Sequence, residues 1–227
     1  MIKFKRVNNS VHSGRRLGEQ ICSCQAFFCI LSLLLSSRKT PTMQPRKQHL
    51  MDTAYRLFNE YGYHATGIDR ILAESGVSKA TLYKHFRTKD ELVVAVLQQR
   101  HEQLIQAVGE AIEQARTVGK SSTLAIFDVL DPWFHSDHFS GCNFINASAE
   151  YAEQTHAIYM LAAEHKAAIQ DLIENSLMEI SGRRQRQLMA EQLALLVDGA
   201  IVRAHTRGDR DAALLAKKMA KQLLSSR

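Results

Sequence analysis

The sequence predicts an all-α protein built from a small N-terminal three-helix domain and a larger C-terminal helical domain. Its three prolines are Pro41, Pro45 and Pro132, so long helices can run almost without interruption from Arg46 onward. Beyond that point apolar residues recur at spacings of three and four, which is typical of amphipathic helices. The sequence shows neither the two-residue alternation of a surface strand nor an internal repeat.

Net charge alone does not indicate a nucleic-acid partner. The 227-residue chain carries a charge of +6, from 29 basic and 23 acidic residues. Seven of the basic residues and one of the acidic residues lie in 1–42, so the remaining 22 and 22 cancel across 43–227. Only local clustering of charge can therefore point to a partner. The apolar content of 45% is normal for a globular protein with a buried core.

Residues 1–42 differ in composition from everything that follows. A basic segment precedes the apolar run 26–35, which is too short to span a bilayer. This order resembles a secretory signal, but residues 36–41 offer no small-x-small cleavage site. We expect Met43 to be the natural start and 1–42 to be non-native upstream sequence. A disordered leader and an anchoring helix are the alternatives.

Two amphipathic helices are predicted after the leader. Gly62 ends the first helix, since glycine accepts the left-handed conformation of a helix stop. We expect Thr66 to cap the second helix, whose first turn holds Asp69 where a negative charge is favourable. The apolar stripes that define the two helices are Leu50, Ala54, Leu57, Phe58 and Tyr61 in the first, and Ile68, Ile71 and Leu72 in the second.

A tight turn and a third helix follow. Gly76 permits the turn, Val77 fills its corner, and Ser78 can cap the next helix. In that helix Leu82 and Phe86, four residues apart, point inward. The residues left for its outer face are Lys79, Thr81, Tyr83, Lys84 and His85.

The segment from Ser78 to Lys89 carries four basic residues and no acidic one. A short helix with a basic, hydroxyl-bearing and aromatic face suits contact with phosphates and base edges in a major groove. The alternative is a solvated basic face on an ordinary three-helix unit. Next, the sequence 88–91 (TKDE) predicts a capping box that opens a fourth helix.

The region from Ala54 to Leu92 resembles the DNA-binding domain of the TetR/AcrR family of transcriptional repressors. The stretch Thr-Leu-Tyr-x-His-Phe-x-x-Lys, which is characteristic of that family, occupies 81–89. The other matching positions are Ala54, Leu57, Phe58, Tyr61, Gly62, Tyr63, Ala65, Thr66, Ile71, Ser75, Gly76, Val77, Ser78, Ala80 and Leu92.

The resemblance implies a homodimer that binds palindromic operator DNA and is released by a small-molecule inducer in its C-terminal domain. By the same resemblance, Thr66, Tyr83, His85 and Lys89 hold phosphates. Ser78, Lys79, Thr81 and Lys84 then lie nearest the bases or flanking phosphates, and Lys47 joins this predicted DNA-binding set. Gly67 departs mildly from the pattern; it weakens the second helix but suits close approach of the backbone to a phosphate.

The C-terminal half is predicted to be helical throughout. An apolar period continues from Glu91 into a long connecting helix, so we place the two domains at 43–92 and 93–227. Later helices are expected at 122–134, 141–151, 156–180, 184–205 and 209–224. By resemblance, the last two form a four-helix dimer interface with their mates, whereas an intrachain hairpin is the alternative. Their small and apolar residues are Leu188, Leu195, Leu196, Gly199, Ala200 and Ala204, then Ala212, Leu215, Ala216, Met219 and Leu223.

An effector site is harder to assign. The candidate lining residues are Trp133, Phe134, Phe139, Cys142 and Tyr159, with Phe144, Tyr151 and Met160 also aromatic or soft apolar residues nearby. Such residues at helical spacing are also typical of an ordinary core, so the sequence does not separate the two interpretations.

Cys142 is the only cysteine in 43–227, which excludes an intrachain disulfide there and favours a cytoplasmic protein. His135, His138 and Cys142 have the spacing of metal ligands on one helix face, but Gly141 breaks that helix and no fourth ligand is evident. We therefore expect no metal and no cofactor. The thiol could act as a redox or electrophile sensor near a helix start, or simply be a small core residue.

Catalysis has no support in the sequence, which lacks a glycine-rich phosphate loop, a metalloprotease histidine pair and a nucleophile elbow. We therefore expect a non-enzymatic, ligand-released repressor that acts on double-stranded DNA and has no membrane partner. A repressor that senses electrophiles through Cys142 is the alternative. An activator or architectural DNA binder without a ligand is a third hypothesis, which a cavity in the C-terminal domain would disfavour.

Overall fold

The structure, a computed structural model, describes residues 45–226, so the predicted leader 1–42 lies outside the described residues. Within this range the chain forms nine helices and no strand, which confirms the all-α fold. The helices are α1 (Pro45–Tyr61), α2 (Ile68–Ser75), α3 (Lys79–His85), α4 (Lys89–Thr117), α5 (Ala125–His135), α6 (Asn143–Glu150), α7 (Ala157–Ser176), α8 (Arg183–Arg207) and α9 (Ala212–Ser225).

Each of these helices corresponds to a predicted one, but some ends move. The seventh was expected to reach Ile180 and instead ends at Ser176. Beyond it the Leu177 N–H bonds the Glu174 carbonyl at 3.0 Å, and the Ile180 N–H bonds the Leu177 carbonyl at 3.0 Å. These three-residue turns tighten the chain, so the apolar period continues through residues that are no longer α-helical.

Helices α1 to α3, which we call the head, pack around a small apolar core. Leu50, Leu57, Ile71 and Leu82 are fully buried in it. A polar contact adds to this packing, because the His49 ring nitrogen Nε2 lies 3.1 Å from the carbonyl oxygen at the end of α2. Within the head, one side of α3 therefore packs against α1 and α2, and its other side faces solvent.

Helix α4 connects the head to the C-terminal helices without a break. It has 29 residues, which corresponds to about 43 Å at the usual rise per residue. Its first turns bury Leu92, Val93, Val96 and Leu97 against the head, and its later turns bury Val108 and other residues among α5 and α7. The proposed domain boundary at residue 92 thus falls inside a continuous helix that belongs to both parts.

The last two helices pack on each other. We expected the alanines of these two helices to lie in a dimer interface. They are instead buried inside this chain, as for Ala200, Ala204, Ala212 and Ala216. Their small size lets α8 and α9 approach closely within one protomer, so the expectation that these alanines face a partner is wrong. Among residues 45–226, no helix combines the length and apolar character needed to cross a bilayer.

Candidate nucleic-acid interface and cavity

The turn between α2 and α3 has the local geometry that its residues predict. Gly76 adopts a left-handed conformation with φ of 64°, and its N–H bonds the Leu72 carbonyl at 2.9 Å. The Ser78 hydroxyl accepts a hydrogen bond from the Thr81 N–H at 3.2 Å and lies 2.8 Å from the Thr81 hydroxyl. The prediction that Ser78 caps the third helix is confirmed, and the two hydroxyls are already engaged with each other.

The two sides of α3 differ as the sequence predicts. Leu82 and Phe86 are buried in the head. Lys79, Lys84 and Tyr83 are exposed, the last by 46% of its surface. The half-buried residues Thr81 and His85 flank this exposed strip. The outer face of α3, meaning these five residues, presents two ammonium groups, a hydroxyl, a phenol and an imidazole.

Two further predicted DNA-binding lysines lie beside the C-terminal end of α3. The Lys89 ammonium donates a hydrogen bond to the His64 carbonyl at 3.2 Å, and partial burial lowers the pKa of its amine. It retains further N–H donors for an anion. The Lys47 ammonium lies 5.4 Å from the centre of the Phe86 ring. Both cations are thus tied to the head that presents α3.

Thr66 has a different role from the one predicted. Its side chain is fully buried, and its hydroxyl lies 2.7 Å from the Gly62 carbonyl oxygen and 3.2 Å from the Leu57 carbonyl oxygen. It bonds carbonyl oxygens in the last turn of α1 and in the residue that follows this helix. The cap of α2 is Gly67, which makes no side-chain bond. The prediction that Thr66 caps α2 is therefore wrong, and its buried hydroxyl is engaged with these two carbonyls.

The local backbone does not require a glycine at position 67. Its φ is −80°, and an added Cβ would meet no atom within 4 Å. The space around Gly67 at the start of α2 is therefore open.

The fourth helix begins with the predicted cap in a modified form. The Glu91 N–H donates to the Thr88 hydroxyl at 3.1 Å, as in a capping box. The return bond differs, because the Glu91 carboxylate accepts from the Arg87 N–H at 2.7 Å rather than from the N–H of Thr88. At the junction between α3 and α4, the side chains of Thr88 and Glu91 thus each accept a hydrogen bond from a backbone N–H group.

A cavity of about 220 Å³ lies among the C-terminal helices. Four helices and the residue before α6 enclose it. Its wall is mostly apolar, and the polar exceptions are Arg100, Gln103, His165 and Lys166. The apolar lining residues are Leu104, Ala107, Val108, Ile126, Val129, Leu130, Pro132, Trp133, Cys142, Ile169, Val197 and Ile201.

The predicted ligand-binding residues divide into two groups. Trp133 and Cys142 line the cavity. Phe134 is fully buried, and its ring centre lies 5.0 Å from that of Phe139, so these two rings pack as core. Tyr159 is half-buried and does not line the cavity. The expectation that Phe134, Phe139 and Tyr159 line it is therefore wrong. For the two phenylalanines the reason is that their rings pack against each other.

The polar lining residues were missed, since α4 and α7 bring them together from more than sixty positions apart. The His165 Nδ1 atom lies 3.3 Å from the His101 Nδ1 atom, and its ring stacks on Phe144 with centres 3.6 Å apart. Burial first, and then the nearby Lys166 and other cations, lower the pKa of His165 to about 3. His165 is therefore a neutral ring at neutral pH.

Comparison with known proteins identifies the family. Residues 50–96, which contain α2, the turn and α3, match the bacterial regulatory proteins of the tetR family. The chain also superposes on a TetR-family transcriptional regulator of Streptomyces coelicolor, with a TM-score of 0.71 and 29% identity over 86% of this chain and 94% of that one. The N-terminal region 50–96 thus belongs to the TetR family, and the described chain shares the fold of its members.

Two curated relatives agree with this family assignment. The transcriptional activator FasR of Mycolicibacterium smegmatis is 29% identical over 158 residues, which cover 68% of this chain and 70% of that protein. The transcriptional regulator BetI of Yersinia pestis is 29% identical over 180 residues, covering 74% and 85%. The chain, with its TetR-type N-terminal region, is thus a DNA-binding transcription regulator.

The far end of α6 forms hydrogen bonds with the head. The Glu150 carboxylate accepts hydrogen bonds from the Tyr63 N–H at 2.9 Å and the His64 N–H at 2.6 Å. Gly62, with φ of +86°, lies so close that an added Cβ would stand 3.0 Å from a Glu150 oxygen. At the other end of α6, Asn143 bonds Asn59 through their side-chain amides. The sequence around Glu150 contains no local pattern that predicts its contact with the Tyr63 and His64 N–H groups.

Cys142 is buried, with 6% of its surface exposed, and it is not disulfide-bonded. It immediately precedes α6 as the residue at the helix start. His135, its proposed partner in a metal site, contacts Asp131 and Asp211 instead. In the described part of the chain, no three His, Cys, Asp or Glu side chains are grouped so as to hold a metal ion.

The outer side of α8 and α9 is apolar and uncovered. Leu188, Leu195 and Val202 recur every seven residues on α8, and Leu195 is 72% exposed. Gly199 lies on the same side with open space around it. Helix α9 adds Leu214, Leu215 and Met219. We call these exposed residues the α8–α9 stripe.

Proposed function

We propose that this TetR-family protein is a ligand-responsive repressor that binds palindromic operator DNA as a homodimer and acts in the cytoplasm. The observation that carries the proposal is the outer face of α3, a short helix with cationic, hydroxyl and aromatic groups on one side. Lys79, Thr81 and Lys84 would contact base edges or flanking phosphates. Tyr83, His85, Lys89 and Lys47 would contact phosphates.

Dimer formation would use the α8–α9 stripe. An uncovered apolar surface of this kind is typical of an interface rather than of a free surface. The seven-residue repeat of Leu188, Leu195 and Val202 suits packing against an equivalent helix, and Gly199 permits close approach. A two-fold dimer would then present two α3 helices to two half-sites of a palindrome.

Ligand control would pass through α6. Cys142, at the start of this helix, lines the cavity, and Glu150, at its end, holds the Tyr63 and His64 N–H groups of the head. A ligand that displaces the start of α6 would also displace the carboxylate that positions the head. The helix thus offers a short mechanical connection between the cavity and α3.

The experiment is selection of bound duplexes from a random library with the purified protein. We expect an inverted repeat whose half-sites lie one helical turn, or a multiple of it, apart. If each head neutralises about four phosphates, the logarithm of affinity should fall against the logarithm of salt with a slope near −7. Failure to enrich any repeat, or a slope near zero, would contradict the proposed interface.

A reporter then decides between repression and activation. With the selected site overlapping the promoter, the protein should silence expression. Increased expression would instead make it an activator, as its relative from Mycolicibacterium smegmatis is named.

A second candidate is a repressor that senses electrophiles through Cys142, which is favoured by the position of this thiol in the cavity wall. Cys142→Ser should leave DNA affinity unchanged without an electrophile. If the thiol is the sensor, a small alkylating agent should release the wild type from DNA and leave the variant bound. Equal release of both proteins would eliminate this candidate.

A further inference from the structure

The shape of the cavity defines the body of its occupant. Along α4 it extends from Arg100 to Val108, which is about 12 Å at the helical rise. Beyond Gln103 this wall is apolar, with Leu104, Ala107 and Val108, and at about 220 Å³ the cavity is smaller than the roughly 300–1,000 Å³ of drug-sized sites. The occupant is therefore small, elongated and mainly apolar.

Arg100 gives one end of the cavity an uncompensated charge. Its Nε atom is buried and has no hydrogen-bond partner, and within residues 45–226 its guanidinium forms no ion pair with a carboxylate. Its neighbour is the Tyr55 ring of α1, 5.6 Å away. A buried polar group without a partner is costly, so a group that satisfies this guanidinium would bind favourably.

The other titratable groups at this end do not cancel the charge. The Lys166 ammonium is paired with the Asp198 carboxylate at 2.6 Å, which uses the nearby negative charge. His165 contacts His101 through their Nδ1 atoms and supplies no anion. Two fixed cations and one carboxylate therefore leave a net positive end next to an apolar wall.

From this arrangement we propose that the effector is a small amphipathic monoanion, an apolar chain with a carboxylate that pairs with Arg100. The inference deepens the proposed ligand response by naming the class of ligand. Because Arg100 also contacts Tyr55 of α1, the incoming carboxylate competes with a contact between α4 and the head. A ligand in the cavity thereby alters contacts of α1 as well as those of α6.

Trp133 makes the test direct, because it is the only tryptophan of the chain and lines the cavity. Its fluorescence is titrated with octanoate, 1-octanol and octylamine, below the concentrations at which they aggregate. These probes share the chain and differ in head-group charge. We expect octanoate to bind about 10- to 100-fold more tightly than 1-octanol, since a hydrogen bond to a charged group contributes that much.

Three variants assign the preference to Arg100. Arg100→Gln should bind octanoate and 1-octanol about equally, and Arg100→Lys should retain part of the preference. Arg116→Gln is the matched control, since it removes the same charge from a site 16 residues further along α4 that does not line this cavity. It should behave as the wild type, and thermal melting checks that each variant is folded.

The outcomes separate the ligand class from the proposed function. Equal or tighter binding of 1-octanol or octylamine, an unchanged preference in Arg100→Gln, or no binding of octanoate overturns the anion class. Release of a fluorescent operator duplex is measured in parallel. If octanoate binds with the expected preference but leaves the DNA complex intact, the class stands and the proposed ligand response is overturned.

Discussion

Glu150→Ala should loosen the head without unfolding it. The Glu150 carboxylate accepts the Tyr63 and His64 N–H groups at 2.9 and 2.6 Å, and the His64 Nδ1 atom lies 3.3 Å from it. A hydrogen bond to a charged group can contribute about 1.5–3 kcal/mol, but water can reach this partly exposed site. We therefore expect a total loss of about 1–3 kcal/mol.

Hydrogen exchange at the Tyr63 and His64 amides reports this loss locally. Their protection should fall by about fivefold to 150-fold, while amides in the core of α7 keep theirs. Glu150→Gln retains one oxygen acceptor and should lose about half as much free energy. Glu153→Ala is the control, because its carboxylate accepts from the Thr155 hydroxyl and not from an N–H group of the head.

The same variant tests the coupling. If α6 connects the cavity to the head, ligand-dependent release of DNA should be weaker in Glu150→Ala than in Glu153→Ala. Unchanged amide exchange and unchanged ligand response in Glu150→Ala would refute the reasoning that this carboxylate positions the head.

Three further predictions concern the two proposed interfaces and the buried histidine. Lys89→Ala should weaken binding to specific and random DNA alike and reduce the salt slope by about one unit, whereas Lys79→Ala should cost about 1–3 kcal/mol on the selected site and relax one base preference. The same uniform loss in both variants would contradict this division. Leu195→Arg should shift the protein to monomers in analytical ultracentrifugation, while Met178→Arg, which alters an equally uncovered residue outside the α8–α9 stripe, should not. Burial and nearby cations lower the pKa of His165 to about 3, below its usual value near 6.5, so the unfolded state binds more protons between these values. The free energy of unfolding should therefore fall as the pH drops from 6.5 toward 3; His165→Gln should flatten this dependence in urea denaturation at pH 7 and pH 5, and an unchanged slope would contradict it.

Local chemistry decided the parts that sequence reasoning predicted well. Gly76 and Ser78 make the turn before α3 through contacts within a few residues. The inward positions of Leu82 and Phe86 follow from their spacing of four. A helix-turn-helix is a short-range structure, so its residues determine both its geometry and its family resemblance.

Where a side chain has two possible hydrogen-bond or packing partners, the sequence alone did not predict which one it contacts. The Thr66 hydroxyl could cap the helix that follows or bond carbonyls of the helix that precedes, and it does the latter. Apolar residues pose the same problem, because periodicity shows that Phe134 and Ala204 face inward but not which neighbour they meet. Phe134 packs in the core although it was expected to line the ligand cavity, and Ala204 packs inside its own chain although it was expected at the dimer interface.

By itself, then, the sequence determined the number of helices, the helix-turn-helix and the chemical character of the outer face of α3. Only the tertiary structure decided that Arg100, His165 and Lys166 converge on one cavity, and that Glu150 reaches amides 86 and 87 positions earlier in the chain. The physical reason is that hydrogen bonding and periodicity along a helix are set by neighbours within about four residues. Contacts between helices depend instead on how whole surfaces pack, and that information is spread over the entire chain.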